Sequence, residues 1–330
     1  MVTMKILLSY CAYPVTTAVF FERALRINHT VTTVGPRLPE KLLEIWKLQN
    51  MKLPIYRQDI DAPGDVDMLE VLNLIKPEDM PDLFLWIESV QINEPRNIEK
   101  LPFTTACYLI DSHLNLENHL RWAKNFNYVF IAQREYIPRF HEVGIRNIFW
   151  LPLAADELVF KKFDLPKKYF ASFVGSVLPG SRRELLLQVL KNTTDIYYER
   201  CFWYDMARVF SQASFVFNNA IKNDLNMRVF EVLSTGTALF SDLAENSGME
   251  ELFVAGEDYV RYKDDSILDD IKAITSGIYD LQKIGEEGRR KVLNAHTYRH
   301  RVEDLINVCL QKKAQTYSGL ELRAQSLDDS

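Results

Sequence analysis

The 330-residue sequence has no strongly basic tract, no long apolar run, no close pair of cysteines and no dinucleotide glycine fingerprint. Each absence removes a class of function. With a net charge of −6 there is no general excess of cations to displace counterions from a phosphate backbone, so no nucleic-acid partner is expected. Nothing approaches the roughly 20 apolar residues of a membrane-spanning helix. The opening Ile6–Phe21 is apolar, but Tyr10, Pro14, Thr16 and Thr17 break it and no small-residue cleavage site follows, so it reads as strand plus helix and not as a signal peptide. Cys11, Cys107, Cys201 and Cys309 are widely scattered, which suits a reducing cytoplasm and offers neither a metal site nor a redox pair. After the first apolar run, Lys5–Ser9, the turn reads Ser9-Tyr10-Cys11-Ala12-Tyr13-Pro14, where a nicotinamide enzyme would carry G-x-G-x-x-G.

What is present is an α/β pattern long enough for two domains. A helix is expected over Thr17–Ile27 and a second strand over Thr30–Val34. Residues 35–81 hold six prolines and one expected helix near Glu40–Leu48. Apolar runs then recur at Leu83–Ile87, Thr105–Ile110, Tyr128–Ala132 and Asn147–Leu151, with helices expected over Leu116–Phe126 and Tyr136–Val143. Continuous apolar strands alternating with helices imply a parallel sheet covered on both faces, whose ligands sit at the carboxyl ends of strands. Leu151–Asp156 ends the first domain, Asp164–Lys168 reads as a linker, and Phe170–Val174 starts the second.

The most informative stretch is Asn223–Asp242, NDLNMRVFEVLSTGTALFSD. A short helix begins near Asn226, and Met227, Val229, Phe230, Val232 and Leu233 make it apolar almost all round, hence buried. Arg228 and Glu231, three apart, interrupt it on one face with Thr235 a turn beyond. Gly236 fits the left-handed closing position, and Thr237–Phe240 reads as a strand with Ser241 and Asp242 at its end. A buried helix with one charged stripe looks like half of a nucleotide site, the alternative being a plain intrahelical ion pair. Upstream, Gly175-Ser-Val-Leu-Pro-Gly180-Ser-Arg-Arg-Glu184 follows a strand and feeds a helix capped by Ser181 and Glu184. Free N–H groups at Gly175 and Ser176 and the charges of Arg182 or Arg183 would suit a phosphate; solvated arginines on an ordinary capped helix are the alternative. The Gly-Lys-Ser/Thr ending of a Walker loop is missing.

NMRVFEVLSTGTALFSD, followed by GMEELFVAGEDYVRY and GEEGRRKVLNAHTYRHRVEDL, resembles the C-terminal half of GT-B glycosyltransferases, and more narrowly the CgeB-like group first named from spore maturation. The resemblance runs from about Tyr169 to Leu305, extending upstream through NIFWLPLAADELVF. It implies two Rossmann-like domains facing each other across a cleft: residues 1–166 on the acceptor side, 167–300 binding the nucleotide-sugar, and 301–330 a C-terminal helix returning to the first domain before a fraying tail after Lys312. It implies a metal-independent, hexosyl-type transferase whose UDP- or GDP-linked donor is substrate, with no further cofactor, and a surface protein or polysaccharide as acceptor; a non-catalytic nucleotide-sugar-binding protein on the same fold is the alternative. In that fold the glutamate matching Glu231 holds the ribose hydroxyls. Many retaining members carry another glutamate eight residues earlier, where this sequence has Asn223.

In the first domain, Glu88 follows one apolar run and Asp111-Ser112-His113 the next. An imidazole at a strand end can deprotonate an acceptor hydroxyl or hydrogen-bond the transferred sugar, with Asp111 orienting it; an Asp–Ser–His turn that only caps a helix is the alternative. His29, His119, His141, His296 and His300 read as structural or solvated. Trp203 belongs to an aromatic patch with Tyr197, Tyr198, Phe202 and Tyr204, one of which could stack on a base. Asp59-Ile-Asp61 and Asp65-Val-Asp67 have a metal-binding spacing, but they sit in a proline- and glycine-bearing loop and read as solvated turn residues.

Overall fold

A computed structural model describes residues 3–310 apart from 52, 89 and 91. The chain forms two compact units, Met1–Pro152 with Arg301–Ser330, and Leu153–His300.

The first unit holds strands β1 (Lys5–Ser9), β2 (Thr30–Gly35), β3 (Ile60–Asp61), β4 (Leu83–Ile87), β5 (Thr104–Leu109), β6 (Tyr128–Ile131) and β7 (Ile148–Trp150). They form one parallel sheet in the order β3-β2-β1-β4-β5-β6-β7. Every residue of β4 is buried, as a strand covered on both faces requires. Its helices are α1 (Ala18–Leu25), α2 (Glu40–Ile45), α3 (Met68–Leu72), α4 (Ser112–Trp122) and α5 (Ile137–Glu142). The expected strands are all present within a residue or so. Helix α4 starts four residues earlier than its apolar pattern suggests, because Asp111 takes a left-handed φ of 57° and turns the chain at once, and a kink at Asn115 sets off the first turn.

The proline-bearing stretch contains β3 and α3, which periodicity does not reveal because both are very short. They explain most of the acidic pairs. Asp59 accepts from the Thr33 amide at 2.8 Å and from Arg26, Asp61 pairs with Arg37, and Asp67 caps α3 by accepting from the Leu69 amide at 2.9 Å. Those three carboxylates have structural partners, while Asp59 and Asp61 remain exposed as expected.

The second unit holds β8 (Tyr169–Val174), β9 (Ile196–Glu199), β10 (Ala213–Asn218), β11 (Ala238–Asp242) and β12 (Val260–Tyr262), all parallel, in the order β12-β11-β10-β8-β9. Around them lie α6 (Arg182–Thr193), α7 (Trp203–Ser211), α8 (Met227–Ser234), α9 (Met249–Leu252), α10 (Ile267–Thr275) and α11 (Leu281–Ala295). Phe173, Phe215, Phe217, Phe240 and Tyr262 form an aromatic core closed by Leu186, Leu187, Leu190, Ile267, Ile271 and Ile274. Gly236, at φ 74°, ends α8 and lets the chain turn directly into β11. Helix α12 (Tyr298–Cys309) leads the chain back into the first unit, where the buried Arg301 donates from Nε to the Pro152 carbonyl at 2.7 Å. The tail after Lys312 lies outside the described residues. None of the described helices is long and apolar enough to cross a membrane.

Candidate functional site

In the second unit, four neighbouring strands bring polar groups to the carboxyl edge of the sheet: Gly175 after β8, Asn218 and Asn219 at the end of β10, Ser241 and Asp242 on β11, and Tyr262 on β12. Hydrogen bonds tie the ends of β10, β11 and β12 together. Asn218 donates to Ser241 Oγ at 3.0 Å, the Tyr262 hydroxyl donates to the Asn218 carbonyl at 3.0 Å, and the Ala220 amide donates to Asp242 at 2.8 Å. This lattice gives the edge a fixed shape.

Onto it project the arginines of α6 and α8. The two adjacent arginines of α6 behave differently. Arg182 is neutralised by Asp242 at 2.8 Å and by Asp264, which raise its pKa further. Arg183 faces the glycine loop: Nη1 donates to the Ser176 carbonyl at 2.8 Å and Nε to Asn219 at 2.7 Å. Its guanidinium lies 5.4 Å from the centre of the Phe173 ring, and that of Arg228 lies 5.2 Å from the same ring. Burial lowers the pKa of both, and the charge of Arg183 helps bring Arg228 down to about 10. Arg228 donates to Asn218 at 3.3 Å, while its Nε has no partner among the described residues.

Gly175 makes room for this arrangement. Its φ is +152°, and a Cβ there would lie 2.7 Å from Arg228 Nη2. Serine 181 caps α6 by accepting from the Glu184 amide at 3.3 Å, and Glu184 answers by accepting from Gly180 at 2.7 Å, one residue before the usual capping-box partner. The capped first turn of the twelve-residue α6 thus carries Arg183, whose guanidinium shares the Phe173 ring with that of Arg228. Glu231, on α8, is 2% exposed, and its Oε1 has no partner among the described residues. Burial raises its pKa to about 8, against the opposing pull of Arg228. An electropositive edge beside a buried carboxyl is suited to a ligand that carries both an anion and hydroxyl groups.

Trp203, at the start of α7, lies buried with its ring tilted 6.5 Å from Phe160. Asn223 has a left-handed φ of 59° before α8. The asparagines at 218 and 219 escape a motif search, but they obey the same strand-end rule that singled out residues 111–113.

In the first unit, the ends of β4, β5 and β6 converge. Glu88 follows β4 and is buried, with its carboxylate 3.7 Å from Nε2 of His119, which is fully buried. The other ring nitrogen, Nδ1, is 2.9 Å from the Ser112 hydroxyl, and the Ser112 amide donates to Gln133 after β6 at 3.1 Å. His119 is thus a structural bridge that fixes the first turn of α4, which carries Asp111 and His113. The Asp111 side chain makes no cap hydrogen bond, so helix capping does not account for it. Asp111 is exposed and His113 half-buried at this edge.

Residues 182–307 match the model of a family described as glycosyl transferase-like. The matched stretch contains Arg182, Arg183, Arg228 and Glu231. No curated protein matches the chain. Among solved structures, a glycosyltransferase from Rickettsia africae superposes with a TM-score of 0.65 at 10% identity, covering 94% of this chain and 99% of that one. The Anabaena protein Alr3699/HepE in complex with UDP and glucose gives 0.62 at 12% identity, covering 92% and 98%. Sucrose-phosphate synthase from Thermosynechococcus elongatus gives 0.61 at 11% identity, covering 93% and 98%. These likenesses show the fold, GT-B with two Rossmann-like domains.

Proposed function

We propose that this chain is a glycosyltransferase of the CgeB-like group that moves a hexosyl unit from a nucleoside-diphosphate sugar to a surface protein or polysaccharide acceptor. The carrying observation is the pair of guanidiniums, Arg183 and Arg228, against Phe173, next to the buried carboxyl of Glu231. Glu231 accepts hydrogen bonds from the ribose hydroxyls. Arg183, Arg228 and the N-terminus of α6, with the amides of Gly175 and Ser176, hold the diphosphate. As the bond to the anomeric carbon breaks, the same groups stabilise the charge growing on the leaving oxygen, so no metal ion is required for that task. Arg182, paired twice by carboxylates, holds the edge together. Trp203 supports α7, and the base is left to other contacts.

The first unit takes the acceptor at the ends of β4 and β5, where His113 hydrogen-bonds the acceptor or the transferred sugar and Asp111 orients it, with Glu88 and His119 fixing the turn beneath. A UDP donor is favoured over GDP because the similar Anabaena protein holds UDP and glucose. The four cysteines are all buried free thiols, which supports a cytoplasmic location.

A thermal-shift screen of UDP, GDP, ADP, CMP and dTDP tests the donor site. UDP or GDP at about 100 times its dissociation constant should stabilise the native state by roughly 2.7 kcal/mol. No shift with any of the five contradicts the reading. A shift without turnover of any nucleotide-sugar leaves a binding protein on the same fold.

A further inference from the structure

The end of β6 carries a carboxyl group that neither the sequence motifs nor the proposed donor site accounts for. Glu135 lies in a 3-10 turn, Arg134–Tyr136, between β6 and α5. Both neighbouring strand ends hold that turn. On one side, Gln133 accepts from the Ser112 amide at 3.1 Å, tying it to the residues following β5. On the other, Trp150 of β7 donates from Nε1 to the Ala132 carbonyl at 3.1 Å, and the Arg134 guanidinium lies 5.2 Å from the same indole. Glu135 is therefore held at the carboxyl edge of the sheet, one strand from Asp111 and His113 and two from Glu88.

Its carboxyl group is also isolated from the rest of the chain. Both Oε atoms are buried, and neither has a hydrogen-bond partner in another described residue. Several buried acids have a charged or ionisable partner instead: Glu88 faces His119, Asp242 faces Arg182, and Asp258 faces Lys291. A buried acceptor without a donor costs about 1–3 kcal/mol, and such a group persists where a ligand or a reaction uses it.

We propose that Glu135 is the catalytic base of the transfer and touches the acceptor hydroxyl. The inference rests on the glycosyltransferase reading above. As the acceptor oxygen bonds to the anomeric carbon, its proton passes to a Glu135 oxygen. The bond from that carbon to the diphosphate oxygen breaks, and its electron pair leaves with the nucleoside diphosphate. Glu135 then returns the proton to solvent. Burial raises its pKa to about 7, with the Arg134 charge and its own main-chain N–H pulling the other way, so the group can take and release a proton near neutral pH.

The test compares wild type, Glu135→Gln and Glu135→Asp for UDP affinity by calorimetry, and for UDP release and product anomer with UDP-glucose and an acceptor panel. The assignment expects UDP affinity within twofold of wild type in both variants. It expects a drop in kcat of about 10²–10⁴-fold in Glu135→Gln, partial recovery in Glu135→Asp, and inversion at the anomeric carbon, as base-assisted direct displacement requires. Active wild type with less than a tenfold loss in Glu135→Gln overturns the assignment and leaves the glycosyltransferase reading standing; so does a product of retained configuration. A drop in kcat that comes with lost UDP affinity marks a folding defect and also overturns it. Wild type that neither binds UDP nor releases it from UDP-glucose overturns both.

Discussion

Arg183 and Arg228 share one aromatic ring: their guanidinium carbons lie 5.4 and 5.2 Å from the centre of Phe173. Like charges held this close and partly desolvated favour an anion, because a bound diphosphate relieves the repulsion and replaces the lost water.

The first prediction separates the two adjacent arginines of α6. Arg183→Ala should lower UDP affinity by about tenfold to a hundredfold, the value of a hydrogen bond to a charged group, while uridine affinity changes little. Arg182→Ala should leave UDP affinity within about twofold. Its partly exposed ion pairs are worth about 1 kcal/mol, so the melting temperature should fall by about 2–4 °C. Calorimetry and a thermal melt on both variants check this.

The second prediction concerns Gly175→Ala. The added methyl would meet Arg228 Nη2 at 2.7 Å in a backbone region that costs a non-glycine residue about 1–3 kcal/mol. UDP affinity should fall at least as far as in Arg228→Ala. Unchanged affinity would separate Gly175 from the diphosphate site.

The third is a pH dependence. Burial raises the folded pKa of Glu231 to about 8, so below that pH the folded state holds a proton that the unfolded chain gives up near its ordinary carboxyl value. This contribution to stability is therefore largest at acid pH and is lost as pH rises toward 8. If ribose hydroxyls bind the carboxylate, UDP-glucose affinity changes in the opposite sense. It should rise by up to about tenfold per pH unit as pH approaches 8, with uptake of the ligand releasing a proton. Glu231→Gln should flatten that profile in calorimetric titrations.

The fourth is His113→Ala, which should reduce kcat by about tenfold, the value of one positioning hydrogen bond, with UDP affinity intact. Wild-type turnover in a folded variant would remove His113 from the acceptor side.

Strand positions were legible in the sequence because buried parallel strands are unbroken apolar runs, as Leu83–Ile87 shows. The donor edge was legible in Arg228 and Glu231 because two charges on an otherwise apolar helix must be explained. The division of labour between Arg182 and Arg183 was not, since it depends on Asp264, 82 residues away in sequence. Similarly, His119 carries no local mark of burial; only its contacts with Glu88 and Ser112 reveal its role. Residue Glu135 sits among ordinary turn residues, and its isolation from other side chains becomes visible only in three dimensions.

The most direct test of the donor site is the affinity of UDP for wild type and for Glu231→Ala, measured by calorimetry at pH 8. The account predicts saturable binding that weakens by about tenfold to a hundredfold in the folded variant, as paired hydroxyls lose a charged acceptor. An affinity within twofold of wild type would contradict it.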